Sequence, residues 1–167
     1  MLFRSWQDRL GPLDGLRVGL AWSGRPTHAD DPSRSMALAR LLEALALPGV
    51  SLVSLQKEVS AEDACLLAER GVVAVGRDVD DFADTAAVIS MLDLVVTVDT
   101  AVAHLAGALG KPAWVLLASR PDWRWLLERS DSPWYPRAVL FRQAQRGEWG
   151  PVLARIQEQL LALAGRP

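Results

Sequence analysis

Asp99, Thr100 and His104 are the polar side chains whose spacing first suggests chemistry. The apolar, β-branched run from Leu94 to Val98 stands directly before them and predicts a strand buried on both faces. A helical pattern begins at Ala101, so the three polar side chains lie at a strand-to-helix turn. The first N–H groups of a helix lack partners and form the positive end of its dipole. The turn therefore has the chemistry to bind an anion such as a phosphate.

The expected anion site consists of the N–H groups of residues 101–103 together with the Thr100 hydroxyl. Another interpretation makes Thr100 only the N-cap of the helix and His104 a half-buried helical residue, and the pattern of these residues leaves both open. Asp99 either accepts a hydrogen bond from a ribose hydroxyl or caps the helix. Its position at the end of the strand favours the ligand role.

Apolar strand patterns alternate with amphipathic helical patterns along the chain and predict an α/β fold. Alternation of this kind implies right-handed crossovers and a doubly wound, Rossmann-like parallel sheet of about six strands, with the order 3-2-1-4-5-6. Strands one and four are then neighbours, and their exit loops face one crevice. Residues 1–16 are expected to be a linker or connector and residues 17–167 one domain. The predicted strands are 17–22, 50–55, 72–75, 94–98, 112–118 and 139–141, with helices at 38–45, 61–70, 83–92, 101–109 and 152–163.

The loop after the first strand, residues 23–35, is long for a βα connection, which indicates a functional role. Ser23 and Gly24 permit close approach of the backbone to a ligand. Arg25 and Arg34 offer guanidinium groups that suit diphosphate oxygens, although each arginine alone is more typical of a solvated surface.

Gln56, Lys57 and Asp81 are further candidates for ligand contacts. Gln56 and Lys57 leave the second strand toward the crevice, where an exposed lysine is also ordinary. Asp81 belongs to the acidic segment RDVDDF; its D-x-D spacing could hold Mg²⁺, but a solvated loop that caps the next helix is the favoured interpretation. Trp123 and Trp134 follow the fifth strand in aromatic segments that suit sugar stacking or packing at the edge of the fold.

Composition and missing motifs exclude several classes of protein. The 18 basic and 20 acidic side chains among 167 residues give no electrostatic footprint for nucleic acid. A single cysteine excludes a disulfide framework and a cysteine metal site, and with no membrane-spanning run or signal peptide we expect a cytoplasmic protein. The chain has no Gly-x-Gly-x-x-Gly after its first strand, no P-loop and no serine nucleophile elbow, which disfavours dinucleotide oxidoreductases, P-loop enzymes and serine hydrolases.

Several segments resemble glycosyltransferase family 9, the heptosyltransferase-like enzymes. They are WSGRPTHADDPSRS, SLVSLQK, DFADTAAVISMLDLVVTVDTAVAHLAGALGKPAWVLL and PDWRWLLERSDSPWYPRAVLFRQ. The resemblance covers nearly the whole chain from Arg17 and implies the C-terminal, nucleotide-sugar-binding lobe of a glycosyltransferase-B fold, in the form found behind tetratricopeptide repeats in bacteria. It also implies an inverting, metal-independent transfer from a nucleotide-diphosphate sugar, which is the substrate, with no cofactor.

The resemblance assigns roles residue by residue. The nucleotide and diphosphate element D-T-x-x-x-H of the family is matched by Asp99, Thr100, Ala101 and His104. Ser23 and Gly24 match the family's first phosphate loop. Arg34 occupies roughly the place of a basic residue that contacts phosphate in the family. Its segment near the nucleotide or sugar is matched by Gln56 and Lys57.

The acceptor lobe of the family, which supplies the general base, has no counterpart in residues 1–15. Catalytic residues are therefore not assigned, and we expect the chain to be inactive alone, as part of a larger protein or completed by another chain. An acceptor lobe, a tetratricopeptide-repeat region or a second copy is the expected partner. Alternative functions are a non-catalytic interaction or regulatory module that retains the fold, and a sugar-nucleotide epimerase.

Overall fold

The computed structural model describes residues 2–24 and 34–165, and within them the chain forms one six-stranded sheet. Every neighbouring pair of strands is parallel, in the order β3-β2-β1-β4-β5-β6. This is the predicted order, with β1 and β4 side by side at the switch point of a doubly wound sheet. The strands are β1 (Leu16–Ala21), β2 (Val50–Ser54), β3 (Val73–Ala74), β4 (Leu94–Val98), β5 (Ala113–Leu117) and β6 (Ala138–Arg142).

Helices connect the strands and cover both faces of the sheet, and each predicted strand and helix is present with its ends shifted by at most two residues. Ser60 caps the helix Ala61–Glu69 at its N-terminus, because its Oγ accepts a hydrogen bond from the N–H of Asp63 at 3.0 Å. The described helices are α1 (Leu2–Leu10), α2 (Leu38–Leu45), α3 (Ala61–Glu69), α4 (Phe82–Ser90), α5 (Ala101–Ala108) and α6 (Gly150–Ala164), with a 3₁₀ helix at Trp123–Trp125.

The two faces of the sheet bury separate apolar clusters. One cluster contains Leu42 of α2 and Ile156 of α6, and the other contains Ile89 of α4 and Ala106 of α5. All residues of β4 and β5 are buried, as the apolar, β-branched sequence of β4 predicts for a central parallel strand. The ends of these strands therefore form a rigid base for the loops that follow them.

The segment predicted as a linker or connector forms a helix that packs on α4. Trp6 and Leu10 of α1 are buried in the same apolar cluster as Ile89. The indole Nε1 of Trp6 donates a hydrogen bond to Asp84 Oδ1 at 2.9 Å, and this bond holds the pKa of the Asp84 carboxyl below its usual range. Residues of α1 thus contribute to the apolar core, and the boundary at residue 16 stays a prediction.

Charged side chains at the amino edge of the sheet form hydrogen bonds within the protein. Arg17 donates two side-chain hydrogen bonds to Asp93, at 2.9 and 2.6 Å, and its backbone N–H donates a third. These bonds lower the pKa of Asp93. Lys111 Nζ donates to the carbonyls of Ser90, the last residue of α4, and of Leu92, and burial lowers the pKa of this lysine. The opposite, carboxyl edge is where polar groups remain available to a ligand.

Candidate functional site

A crevice of about 560 Å³ lies at the carboxyl edge of the sheet. Its walls come from the loops after β1, β2, β4 and β5, which is the geometry expected at the switch point of an open α/β sheet. The polar and glycine residues that line it are Ser23, Gly24, Arg34, Gln56, Lys57, Glu58, Asp99, Thr100, His104, Asp122 and Arg124, with Ala101 and Val102 between them. Most of the residues singled out from the sequence are thus brought together, while their roles as ligands remain predictions.

The first turn of α5 forms the floor of the crevice. Thr100 occupies the N-cap position with extended backbone (φ −139°, ψ 173°), but its side chain makes no capping hydrogen bond. Its hydroxyl lies 3.1 Å from the hydroxyl of Thr97 instead. Ser60 and Asp81, in contrast, do cap α3 and α4 with their side chains. The interpretation of Thr100 as only a helix cap therefore lacks the hydrogen bond that it requires.

The prediction that Ala103 offers a free N–H group to an anion is wrong. This N–H donates to the carbonyl of Thr100 at 3.0 Å, because the helix begins with a tight i to i+3 turn. The N–H groups of Ala101 and Val102 have no hydrogen-bond partner among the described residues. Both residues line the crevice, so two backbone donors and the positive end of the helix dipole face it.

The imidazole of His104 lies one helical turn further along α5 and is held on three sides. Its Nδ1 is 2.9 Å from the hydroxyl of Tyr135, and its ring stacks on Trp125 at 5.1 Å between centroids. The other nitrogen, Nε2, lies 3.9 Å from Asp99 Oδ1. About a third of the His104 side chain is exposed, at 36%, and the residue lines the crevice.

The side chain of Gln56 positions the loop after β1. Gln56 lies just after β2, the strand that pairs with β1. Gln56 is 7% exposed, and its Oε1 accepts hydrogen bonds from the backbone N–H groups of Trp22 and Ser23, both at 3.2 Å. The N–H of Gly24 donates to Ser35 Oγ at 3.1 Å. Gln56 was predicted as a ligand contact from its place after β2. The structure gives it in addition a positioning role for the predicted phosphate loop.

Both cationic and anionic side chains line the crevice. Arg34 lines one wall, and Lys57 lies exposed beside it with its Nζ 3.5 Å from the carbonyl of Asp80. On the opposite wall Asp122 accepts hydrogen bonds from the backbone N–H and the guanidinium Nη1 of Arg124, at 3.0 and 2.8 Å. The backbone bond, followed by the guanidinium, holds the pKa of Asp122 below its usual range. This charge pattern suits a ligand that carries both phosphates and hydroxyl groups.

Two predicted residues are not placed in the crevice by the structure. Arg25 lies outside the described residues. Asp81 is the N-cap of α4, where its Oδ1 accepts from the N–H groups of Ala83 and Asp84, and it is not among the lining residues. This position matches the capping interpretation of the acidic segment. Among the described residues, no group of three or more His, Cys, Asp or Glu side chains is arranged to hold a metal ion.

Sequence reasoning missed the contribution of the long connection between β5 and β6. This connection supplies Asp122 and Arg124 to the rim, and Trp125 and Tyr135 to the support of His104. The aromatic pattern of the sequence indicates Trp123 and Trp134 in this connection instead. These two side chains are 68% and 59% exposed and lie outside the crevice lining. The one sequence signal for the packing on α5 is Gly107, since an isolated glycine inside a helical pattern indicates close approach by another group.

None of the helices formed by the described residues combines the length and the apolar character needed to cross a bilayer.

Comparison with known proteins gives concordant results. Residues 49–149 match the family model described as glycosyltransferase family 9 (heptosyltransferase). Protein FlbA of Caulobacter vibrioides is 33% identical over 159 residues, which are 92% of this chain and 26% of that protein. The chain therefore spans about a quarter of the length of this curated relative.

Two solved structures share the fold. A glycosyl transferase family 9 protein of Veillonella parvula superposes with a TM-score of 0.64 at 13% identity, over 97% of this chain and 48% of that one. The ADP-heptose LPS heptosyltransferase II of E. coli superposes with a TM-score of 0.65 at 19% identity, over 98% of this chain and 51% of that one. Nearly the whole chain, including its six-stranded parallel sheet, thus corresponds to about half of each of these larger glycosyltransferase structures.

Proposed function

The chain belongs to glycosyltransferase family 9, the heptosyltransferase family, and on this premise we propose that its crevice binds the sugar donor, a nucleoside-diphosphate sugar. The observation that carries the proposal is the first turn of α5, where the N–H groups of Ala101 and Val102, two residues that line the crevice, have no hydrogen-bond partner among the described residues. Backbone donors at the positive end of a helix bind phosphate oxygens favourably. Ser23 and Gly24 on the opposite loop bring a second stretch of backbone close to the same point.

The proposed chemistry is an inverting transfer without a metal or cofactor. As the bond from the sugar to the diphosphate breaks, negative charge builds on the leaving phosphate, and preorganised donors stabilise this charge more than they stabilise the ground state. The donors of this chain are the two amides of α5, the His104 imidazole, and the cations Arg34 and Arg124 on opposite walls. The carboxylates of the crevice are suited to accept hydrogen bonds from ribose or sugar hydroxyls.

We assign the acceptor and the general base to a further region, either an N-terminal acceptor lobe or a region containing tetratricopeptide repeats, in the same or another chain. The supporting fact is length: this chain corresponds to about half of each solved relative and to a quarter of FlbA. The isolated chain is accordingly expected to bind donor without transferring the sugar. Detection of transfer by the purified 167-residue chain would contradict this assignment.

Isothermal titration calorimetry with ADP, UDP and GDP, and with their sugar conjugates, tests donor binding directly. Replacement of Thr100 by valine removes a hydroxyl from the crevice. The affinity for the best-binding nucleotide should fall about tenfold, which is the cost of losing one hydrogen bond to a charged group. Thr85→Val is the matched control, because Thr85 bonds to Asp81 O on α4 and does not line the crevice. A folded wild-type chain that binds none of these nucleotides would exclude the proposed function.

A second candidate function, a non-catalytic interaction module, is favoured by one observation. Trp123, Leu127 and Trp134 expose 68%, 68% and 59% of their surface on the connection between β5 and β6, where a monomer exposes large apolar side chains at a cost. If this candidate is correct, the chain forms oligomers in light scattering or binds a partner protein, and its crevice binds no nucleotide. Nucleotide binding by a monomeric chain would decide for the donor-binding function.

A further inference from the structure

The His104 ring is held so that its two nitrogens face different partners. On one side Nδ1 lies 2.9 Å from the Tyr135 hydroxyl, and on the other Nε2 faces the crevice 3.9 Å from Asp99 Oδ1. The fully buried ring of Trp125 stacks on the imidazole with an angle of 19° between the planes. The stacking and the hydrogen bond together fix the direction in which Nε2 points.

These partners decide which nitrogen carries the proton of the neutral imidazole. A carboxylate only accepts hydrogen bonds, so a lone pair on Nε2 would face the negative oxygen of Asp99, whereas an N–H there is attracted to it. With the proton on Nε2, Nδ1 carries the lone pair and accepts the hydrogen bond that the Tyr135 hydroxyl donates. A phenol hydroxyl donates a hydrogen bond more strongly than it accepts one, and Asp99 at 3.9 Å is beyond hydrogen-bond distance, so the Tyr135 hydroxyl supplies most of the preference for this tautomer. When His104 takes a second proton, Nε2 keeps its hydrogen and Tyr135 accepts instead.

We propose that Tyr135 is a positioning residue that holds His104 as an Nε2–H donor, aimed at the diphosphate of the donor substrate. The diphosphate part of this proposal rests on the proposed function, while the assignment of the proton does not. It follows that His104 does not act as a general base at this edge of the sheet, because Nε2 presents a hydrogen to the crevice in both protonation states.

The position of Tyr135 is itself determined from two sides. The Oγ of Ser132 accepts hydrogen bonds from the N–H groups of Trp134 and Tyr135, at 3.2 and 3.3 Å, which fixes the turn before the ring. Behind the ring lies Gly107, on the same face of α5 as His104. A Cβ at position 107 would overlap Cγ of the tyrosine ring and lie 2.9 Å from its Cβ. A glycine is therefore required where Tyr135 packs against the helix.

Tyr135→Phe tests the proposal, since it removes the hydroxyl and keeps the ring. Long-range ¹H–¹⁵N NMR of the imidazole reports the tautomer, and His28→Gln in every sample leaves His104 as the one histidine of the chain. We expect the Nε2–H tautomer with the hydroxyl present and a mixture of tautomers in the phenylalanine variant. We also expect calorimetric affinity for the best nucleoside diphosphate to fall about three- to tenfold. Leu127→Ala, an exposed change in the same connection, should alter neither property.

The outcomes separate this proposal from the proposed function. A neutral His104 protonated on Nδ1, or a tautomer unchanged by Tyr135→Phe, overturns the positioning role. A shifted tautomer with unchanged affinity overturns donation from Nε2 to the diphosphate. Failure of every nucleotide to bind a chain with the expected tautomer overturns the proposed function and leaves the proton assignment standing.

Gly107→Ala provides a second variant that acts on the same hydrogen bond from behind the ring. Alanine normally stabilises a helix relative to glycine, but here its methyl group displaces Tyr135. The tautomer should become mixed as in Tyr135→Phe. Gly150→Ala at the start of α6 is the matched control, since a Cβ there meets nothing within 4 Å. An unchanged tautomer in Gly107→Ala, with the protein folded, would contradict the proposal even if Tyr135→Phe failed to fold.

Discussion

Ala101→Pro removes one of the two backbone donors on which the proposed donor site depends. Ala101 is the first residue of α5, and its side chain is exposed. Proline is well tolerated at the first position of a helix, because that N–H has no partner within the helix. Proline also requires an extended residue before it, and Thr100 already has φ −139° and ψ 173°. The substitution therefore deletes a single N–H group without disturbing the helix.

The expected magnitudes differ sharply between stability and binding. The free energy of unfolding should change by less than about 1 kcal/mol, with the sign toward stabilisation, because proline restricts the unfolded chain at a position whose conformation it fits. Loss of a hydrogen bond to a charged phosphate costs about 1.5 to 3 kcal/mol, which corresponds to roughly 10- to 150-fold in Kd. Urea unfolding and calorimetry with the best-binding nucleotide measure the two quantities on the same preparation.

Ala61→Pro is the matched control for this experiment. Ala61 is the exposed first residue of α3, it follows an extended Ser60 (φ −64°, ψ 162°), and it does not line the crevice. Both proline variants should unfold at similar urea concentrations, and only Ala101→Pro should lose affinity. Wild-type affinity in Ala101→Pro would refute the assignment of this N–H to the diphosphate. Loss of folding in that variant alone would refute the account of the first turn.

Two further predictions concern stability. Gln56→Met keeps the volume of the side chain but leaves the N–H groups of Trp22 and Ser23 without an acceptor. The free energy of unfolding should fall by about 2 kcal/mol, which corresponds to roughly 4 to 8 °C in Tm. The control Lys57→Met should change the stability little. Asp93→Asn should lower stability by about 1 kcal/mol at pH 7, a figure discounted because Arg17 and Asp93 are 41% and 34% exposed. Since folding lowers the pKa of Asp93, its contribution is complete above about pH 4 and is lost as the pH falls further, so urea unfolding of the two proteins should converge in acid.

The sheet, and the edge of it at which the crevice lies, could be predicted because they follow from periodicity. The β-branched run of β4 indicates a strand buried on both faces, and alternation with helices leaves few parallel topologies. Once β1 and β4 are neighbours, their exit loops must meet, which brings Ser23 and Gly24 near Asp99 and Thr100. No side-chain contact is needed for this step.

The supporting contacts could not be predicted, because they depend on backbone details and long connections. The acceptor of the Ala103 N–H depends on whether the first turn of α5 is α or 3₁₀, and both are compatible with the same residues. Tyr135 is 31 positions from His104 and reaches it through a connection without periodic pattern. Gly107 indicates that something packs on α5, but the sequence does not identify the ring that does so.

The proposed donor site combines backbone N–H groups of α5 with side chains around them. The two kinds of group should contribute unequally to nucleotide binding, so we can predict which of two variants, Ala101→Pro or Thr100→Val, binds nucleotide more weakly. The hydroxyl of Thr100 already has a partner in the protein, since it lies 3.1 Å from the hydroxyl of Thr97, and it therefore contributes less to the binding of an anion. The N–H of Ala101 has no hydrogen-bond partner among the described residues and lies at the positive end of the helix dipole. Ala101→Pro should therefore weaken nucleotide binding more than Thr100→Val does. The reverse order would mean that the side chain of Thr100, and not the amides and dipole of α5, holds the anion.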